Sequence, residues 1–255
     1  MILYFSATGN NKYIAGEIAK ATEDTAVSME ECSTKQLQLK ENENLGFVFP
    51  TYFFELPPNV ITFLNQVTFV LPEHAYVFGV VTYGSTSGAS GAHLKRILRG
   101  KGIKTDALYS MITPDTWTII YDLSNADQVR TTLDKTEAQL AQTIGRIKER
   151  RKGDFRTRQL PFLVTAFSDP AYQKARRTSH FHVEERCIGC ELCAKNCPAQ
   201  AIEMQNGKPV WVKDKCLVCL RCLHSCPKFA IQYEDKTVVH GQYRHETYQR
   251  DAGGK

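Results

Sequence analysis

Cys187-Ile-Gly-Cys190-Glu-Leu-Cys193-Ala-Lys-Asn-Cys197-Pro198 returns later in the chain as Cys216-Leu-Val-Cys219-Leu-Arg-Cys222-Leu-His-Ser-Cys226-Pro227. The two runs hold eight of the nine cysteines, and the repeat continues past them, since Ala201-Ile202 follows the first as Ala230-Ile231 follows the second. Three thiols at two-residue gaps can wrap one corner of a shared centre from a short turning loop. The fourth must come from elsewhere, because the proline behind it prevents the backbone from continuing as helix. Two Cys-x2-Cys pairs alone would suit zinc, and disulfides would require an oxidising compartment. The third cysteine, the three-residue gap, the proline and the repetition together favour iron–sulfur ligation over both.

Over residues 181–233 this segment resembles bacterial-type two-cluster ferredoxins. The resemblance implies a small α+β domain, taken as residues 180–234, holding two 4Fe–4S clusters. It assigns Cys187, Cys190, Cys193 and Cys226 to one, and Cys216, Cys219, Cys222 and Cys197 to the other. Such crossing would tie both halves into a unit with little reason to fold without iron and sulfide. Asn206-Gly207, between two short apolar stretches, predicts a tight hairpin turn.

At 255 residues the chain suggests two domains, on a prior of about 150 residues each. Its hydrophobic content of 42% and charged content of 23% are ordinary for a globular protein. No apolar run approaches the roughly 20 residues that span a bilayer. The opening Met1-Ile-Leu-Tyr-Phe5 is strand-like, with no signal peptide, so a cytoplasmic protein is expected. The net charge of +5 gathers at Arg150-Arg151-Lys152, Arg156, Arg158, Lys174, Arg176 and Arg177. A solvated surface is the plain reading, and a docking patch for an acidic redox partner is the functional one. No nucleic-acid-binding motif accompanies the charge.

The first strand leads into Ser6-Ala7-Thr8-Gly9-Asn10-Asn11 and then a helix with Ile14 and Ile18 on its apolar face. Small hydroxyl residues and a glycine between strand and helix make an anion cradle, where helix-start N–H groups and the macrodipole favour negative charge. The loop contains no Lys or Arg, which suits a phosphate monoester held by neutral donors and excludes a P-loop. Further strands are predicted at 25–29, 45–49, 75–81 and 107–112, and helices at 57–67, 89–98 and 127–151. This alternation predicts a doubly wound parallel sheet.

The loop resembles the flavodoxin phosphate loop, with Asn11 standing where that family usually has Thr. The resemblance implies a five-stranded sheet in the order 2-1-3-4-5, with FMN at the switch point between the first and third strands. Ser6, Thr8, Gly9, Asn10 and Asn11 would hold the phosphate. Pro50, Thr51, Tyr52 and Phe53 on one loop, and Thr82, Tyr83, Gly84, Ser85 and Gly88 on the other, would hold the isoalloxazine. Tyr52 or Tyr83 would stack on it, and Gly84 or Gly88 would allow close approach. Cys32, His74, His93 and His224 belong to no constellation and are expected to carry no special role.

Taken whole, the chain resembles fused flavodoxin–ferredoxin proteins: a flavodoxin-like domain at 1–152, a connector at 153–179 that includes the apolar Phe162-Leu163-Val164, the ferredoxin domain, and a polar tail at 235–255 expected to fray from Gly241. The connector is not Gly/Ser-rich, so a fixed domain relation is expected. The resemblance implies an electron-transfer protein linking two 4Fe–4S clusters, FMN and an external redox partner. The alternative is an FMN-dependent reductase of a small substrate fed by the clusters; the sequence supplies no obvious acid, base or substrate clamp for it, and Asp115 and Tyr83 are no more than candidates. If flavin and clusters lay too far apart within one chain, either the domains would move or a homodimer would bring a second chain's cluster close.

Overall fold

The computed structural model describes residues 1–161 and 168–246. Its first eight strands are β1 (Ile2–Tyr4), β2 (Ala26–Ser28), β3 (Gln36–Gln38), β4 (Leu45–Pro50), β5 (Thr68–Val70), β6 (Val77–Tyr83), β7 (Ala107–Ile112) and β8 (Gly153–Phe155). Between them run α1 (Asn10–Thr22), α2 (Pro58–Gln66), α3 (Ser90–Gly100) and α4 (Ala126–Lys148). β4 and β6 are almost wholly buried apolar runs, as strands covered on both faces must be. Alternate residues of β4 serve opposite layers: Phe47 and Phe49 pack with α2 and α3, while Val48 packs with α1 and α4.

The main sheet is parallel throughout, in the order β2-β1-β4-β6-β7-β8. Its first five members reproduce the expected 2-1-3-4-5 order. The sixth, β8, was expected to be connector. Three residues show no usable periodicity; pairing with β7 holds them, together with Phe155 stacked on Tyr109 at 5.2 Å under the Arg146 guanidinium. β3 and β5 form a separate parallel pair, in which Leu37 and Phe69 alone are buried.

The C-terminal part contains α5 (Asp169–Ala175), β9 (Phe181–Val183), α6 (Leu192–Lys195), β10 (Ile202–Gln205), β11 (Lys208–Trp211), α7 (Arg221–Ser225), β12 (Ile231–Tyr233) and α8 (Thr237–His240). β10 and β11 form the predicted hairpin, with Asn206 and Gly207 both at positive φ, 49° and 75°. The sequence repeat is also a structural one. Each cysteine run carries a one-turn helix, α6 or α7, entered through a left-handed residue, Glu191 or Leu220. Ala201 and Ala230 are fully buried, and their N–H groups donate to Cys197 Sγ and Cys226 Sγ at 3.3 and 3.2 Å.

The two parts share an apolar core. Leu217, from the cysteine-rich half, joins the buried group that contains Phe5, Phe49 and Phe63. Phe162-Leu163-Val164 lies outside the described residues. The start of the tail departs from expectation: residues 241–245 do not fray but pack, with Tyr243 buried. Much of the basic stretch is engaged locally. Arg156 pairs with Asp154, Lys152 with Asp106 and Arg151 with Glu149, while Arg150 and Arg158 donate to backbone carbonyls. Among the described residues no helix is long and apolar enough to cross a membrane.

Candidate cofactor sites

The chain leaves β1 and turns into α1 through Gly9, at φ 101°, with its N–H on Ser6 Oγ at 3.1 Å. Ser6, Thr8, Asn10 and Asn11 are all buried. The Thr8 hydroxyl makes no protein hydrogen bond among the described residues, and the first turn of α1 carries no acidic side chain. A hydroxyl with no protein partner, on a residue only 5% exposed, beside free helix-start N–H groups fits an oxyanion held by neutral donors. Asn11 departs from its expected use. Its Nδ2 donates to Phe5 O at 2.9 Å and its Oδ1 accepts from Thr82 Oγ1 at 2.7 Å. Both side chains therefore lock the loop to the end of β6 instead of facing a phosphate.

A pocket opens at the ends of β4 and β6, lined by Pro50, Thr51, Tyr52, Phe53, Thr82, Tyr83, Gly84 and Ser85; none of residues 6–11 lines it, and Asn11 reaches its wall only through Thr82. Residues 113–117 form another wall, and Tyr172, Val218 and Cys219 close it from the C-terminal part. Tyr52 lies edge-on to Phe5 at 6.2 Å, and burial pushes its phenol well above the ordinary range, so it stays neutral. The Tyr83 hydroxyl shares a hydrogen bond with Thr157 Oγ1 at 3.0 Å. These aromatic and hydroxyl-bearing walls, with Asp115 the one carboxyl among them, suit an isoalloxazine.

Of the two glycines expected to allow close approach, Gly84 lines the pocket. A Cβ on Gly84 would fall 2.1 Å from Asp115 Oδ2, and one on Gly88, at φ 54°, would fall 2.2 Å from Phe54 O. Both make room for the chain's own atoms, and Gly88 does not line the pocket. Phe53 stacks on Tyr172 at 4.8 Å and meets Trp117 edge-on at 5.1 Å, which makes it a residue of the domain join. Phe53 and Phe54 both have positive φ, 46° and 70°, in a two-residue hairpin closed by reciprocal Tyr52–Glu55 backbone bonds. That conformation usually falls to Asn-Gly; here Ser168 Oγ and Ala89 N hold it by donating to Phe53 O and Phe54 O. Asp115 sits in the pocket with its pKa raised to about 6 by burial, against the opposing hydrogen bond from Trp117 N.

The cysteines gather into two groups of four. Cys187, Cys190, Cys193 and Cys226 line one cavity, and Cys197, Cys216, Cys219 and Cys222 line the other. Burial pushes Cys193 and Cys219 up to about 12 and Cys216 up to about 11. Neighbouring thiolates add to this: Cys190 and Cys226 act on Cys193, and Cys197 acts on Cys216 and Cys219. Buried thiols that resist ionisation need a strongly positive centre to become ligands. Among the described residues no three His, Cys, Asp or Glu side chains are placed to hold a single ion. In an iron–sulfur cluster each iron takes one cysteine and sulfides complete the coordination, so wider-spaced thiols are suitable.

Three residues that sequence reasoning passed over join the sites. Arg221 on α7 donates to Ser6 O at 2.8 Å and pairs with Glu30 at 2.5 Å. His224 Nε2 donates to Thr116 O at 2.9 Å, while its Nδ1 accepts from Tyr243 N at 3.2 Å. Burial lowers this imidazole to about 4, in keeping with a neutral ring. Tyr243 Oη donates to Asn10 Oδ1 at 2.6 Å. The only trace in the sequence is an asymmetry between the repeats, where Arg221 occupies the place of Leu192.

A doubly wound sheet with a hydroxyl-rich loop at its switch point, joined to paired four-cysteine sites, defines an electron-transfer protein of the flavin and iron–sulfur class. The chain belongs to the flavodoxin-domain family, whose model matches residues 1–139, and a model of the 4Fe-4S dicluster domain matches residues 186–231. The first domain implies FMN and the second 4Fe–4S clusters. No curated protein matches the chain.

Proposed function

We propose that the protein carries electrons between an external redox partner, two 4Fe–4S clusters and one FMN, in the cytoplasm. The observation that carries this reading is Cys219: it belongs to one four-cysteine cavity and also lines the pocket of Tyr52, Tyr83 and Trp117. The site of Cys197, Cys216, Cys219 and Cys222 is then the inner one. The site of Cys187, Cys190, Cys193 and Cys226 is the outer one, where Cys190 and Ile188 are exposed to a partner. Clusters accept electrons singly, whereas a flavin holds one or two, so their union lets single electrons be collected and delivered in pairs. Ser6, Thr8 and the α1 start hold the phosphate, Asn11 and Thr82 fix the loop, and the 50–53 and 82–85 loops enclose the ring. Because Cys219 reaches the pocket within one chain, no second copy is required for this contact.

A reductase acting on a small bound substrate is the second reading, favoured by Asp115, a half-buried carboxyl in the pocket able to exchange a proton near neutral pH. Anaerobic reductive titration of the loaded protein separates the two. About eight irons and one FMN per chain, reduced as one communicating system and reoxidised by a carrier protein, support the carrier. Rapid reoxidation only by a small acceptor supports the reductase, and zinc or a missing flavin sinks both.

A further inference from the structure

The segment 242–245 lies across the loop that starts α1. His245 N donates to Thr8 O at 2.9 Å, and its ring stacks on Tyr13 at 4.3 Å with 23° between planes. The Tyr243 phenol, pushed up by burial and therefore neutral, donates to Asn10 Oδ1. The other end of the segment is fastened to the cysteine-rich half. Gln242 Nε2 donates to Leu223 O at 2.5 Å and to Cys226 O at 2.9 Å, and Tyr243 N donates to His224 Nδ1.

We propose that residues 242–245 are a cap on the FMN phosphate site, anchored on the turn that carries Cys226. This rests on reading Ser6–Asn11 as the phosphate cradle. A cradle with no Lys or Arg depends on neutral donors, whose hydrogen bonds strengthen when water is kept out. The cap covers Thr8 and Asn10. By occupying Asn10 Oδ1, Tyr243 also fixes the amide so that its Nδ2 donor end is the one left for a ligand. Tyr243 is thus a positioning residue. The acceptors that hold Gln242 are carbonyls of the cluster-binding turn, so loss of the outer cluster loosens the cap. Flavin retention then reports whether that cluster is in place.

The test compares FMN with riboflavin, which lacks the phosphate, on the cluster-loaded protein. Dissociation constants are read by flavin fluorescence for the wild type, a chain ending at Gly241, and Tyr243→Phe. Truncation is expected to weaken FMN about tenfold and Tyr243→Phe about threefold. Riboflavin affinity and iron content should stay unchanged. Cys187→Ser, which removes a ligand of the outer site alone, should erode the preference for FMN in the full chain, and in the truncated chain should change it no further. Equal loss of both flavins would mean general loosening, tighter FMN would mean a plug instead of a cap, and no change would mean an idle tail; each overturns the proposal. A wild type that binds both flavins equally defeats the phosphate-cradle reading itself. If the truncated chain does not fold, Tyr243→Phe keeps the test, because it retains every backbone contact.

Discussion

A single carboxyl shows how environment sets behaviour at the scale of the residue. The Asp115 side chain has its pKa raised from 3.8 to about 6 because burial disfavours its charge. The native state therefore keeps a proton that the unfolded chain releases near pH 4. This costs nothing below about pH 4 and subtracts stability as the pH climbs through 6. Asp115→Asn is expected to stabilise the flavin-free, cluster-loaded protein by about 1–3 kcal/mol at pH 8, a gain roughly halved at pH 5. Urea midpoints at the two pH values check this, and an equal effect at both would refute the assignment. Residue identities told part of this story in advance. Ser6, Thr8 and the cysteines could be read because their chemistry and spacing are local. The second bonds of Asn11 could not, since Phe5 O and Thr82 Oγ1 come together only once β1 and β6 share a sheet.

The informative elements are loops and repeats. Gly88→Ala would set a Cβ 2.2 Å from Phe54 O in a left-handed backbone, forcing apart the 82–88 loop and the strained Phe53-Phe54 hairpin. A loss of about 1–3 kcal/mol is expected in chemical unfolding, with weaker flavin binding. Gly102→Ala, also at positive φ but with open space around the new carbon, should cost about 1 kcal/mol and leave flavin affinity intact. For the cysteine runs, crossed ligation predicts that Cys197→Ser damages the cluster of Cys216, Cys219 and Cys222. Electron paramagnetic resonance of the reduced variant distinguishes the sites, and selective loss of the other cluster would show the ligand sets to be wrong. The long apolar strands were legible because burial on both faces leaves a continuous signal. The three-residue β8 was not, since its place is decided by β7 and by the stacking of Phe155 on Tyr109.

Across the whole molecule, the join between the halves matters most, and it was the least legible part. Leu217 reads as one more apolar residue in a cysteine run, yet it packs among Phe5, Phe49 and Phe63. Leu217→Ala should cost about 2–5 kcal/mol. It should also split one cooperative melt into two, with flavin fluorescence and cluster absorbance no longer changing together. The tail misled because Gln242, Tyr243 and His245 are polar and follow a glycine, a pattern normally solvated. Their acceptors lie on Leu223, Cys226, Asn10 and Thr8, which no local window contains.

Leu217 in the flavodoxin core, Arg221 on Ser6 O and Phe53 stacked on Tyr172 leave the halves no swing to make before the inner cysteine site meets the pocket. A protein whose redox centres must find each other by domain rotation slows in proportion to the friction of its medium. Here flavin–cluster exchange within one chain is expected to keep its rate in concentrated glycerol, while encounter with a separate carrier slows, and laser-flash kinetics across a viscosity series would tell the two apart.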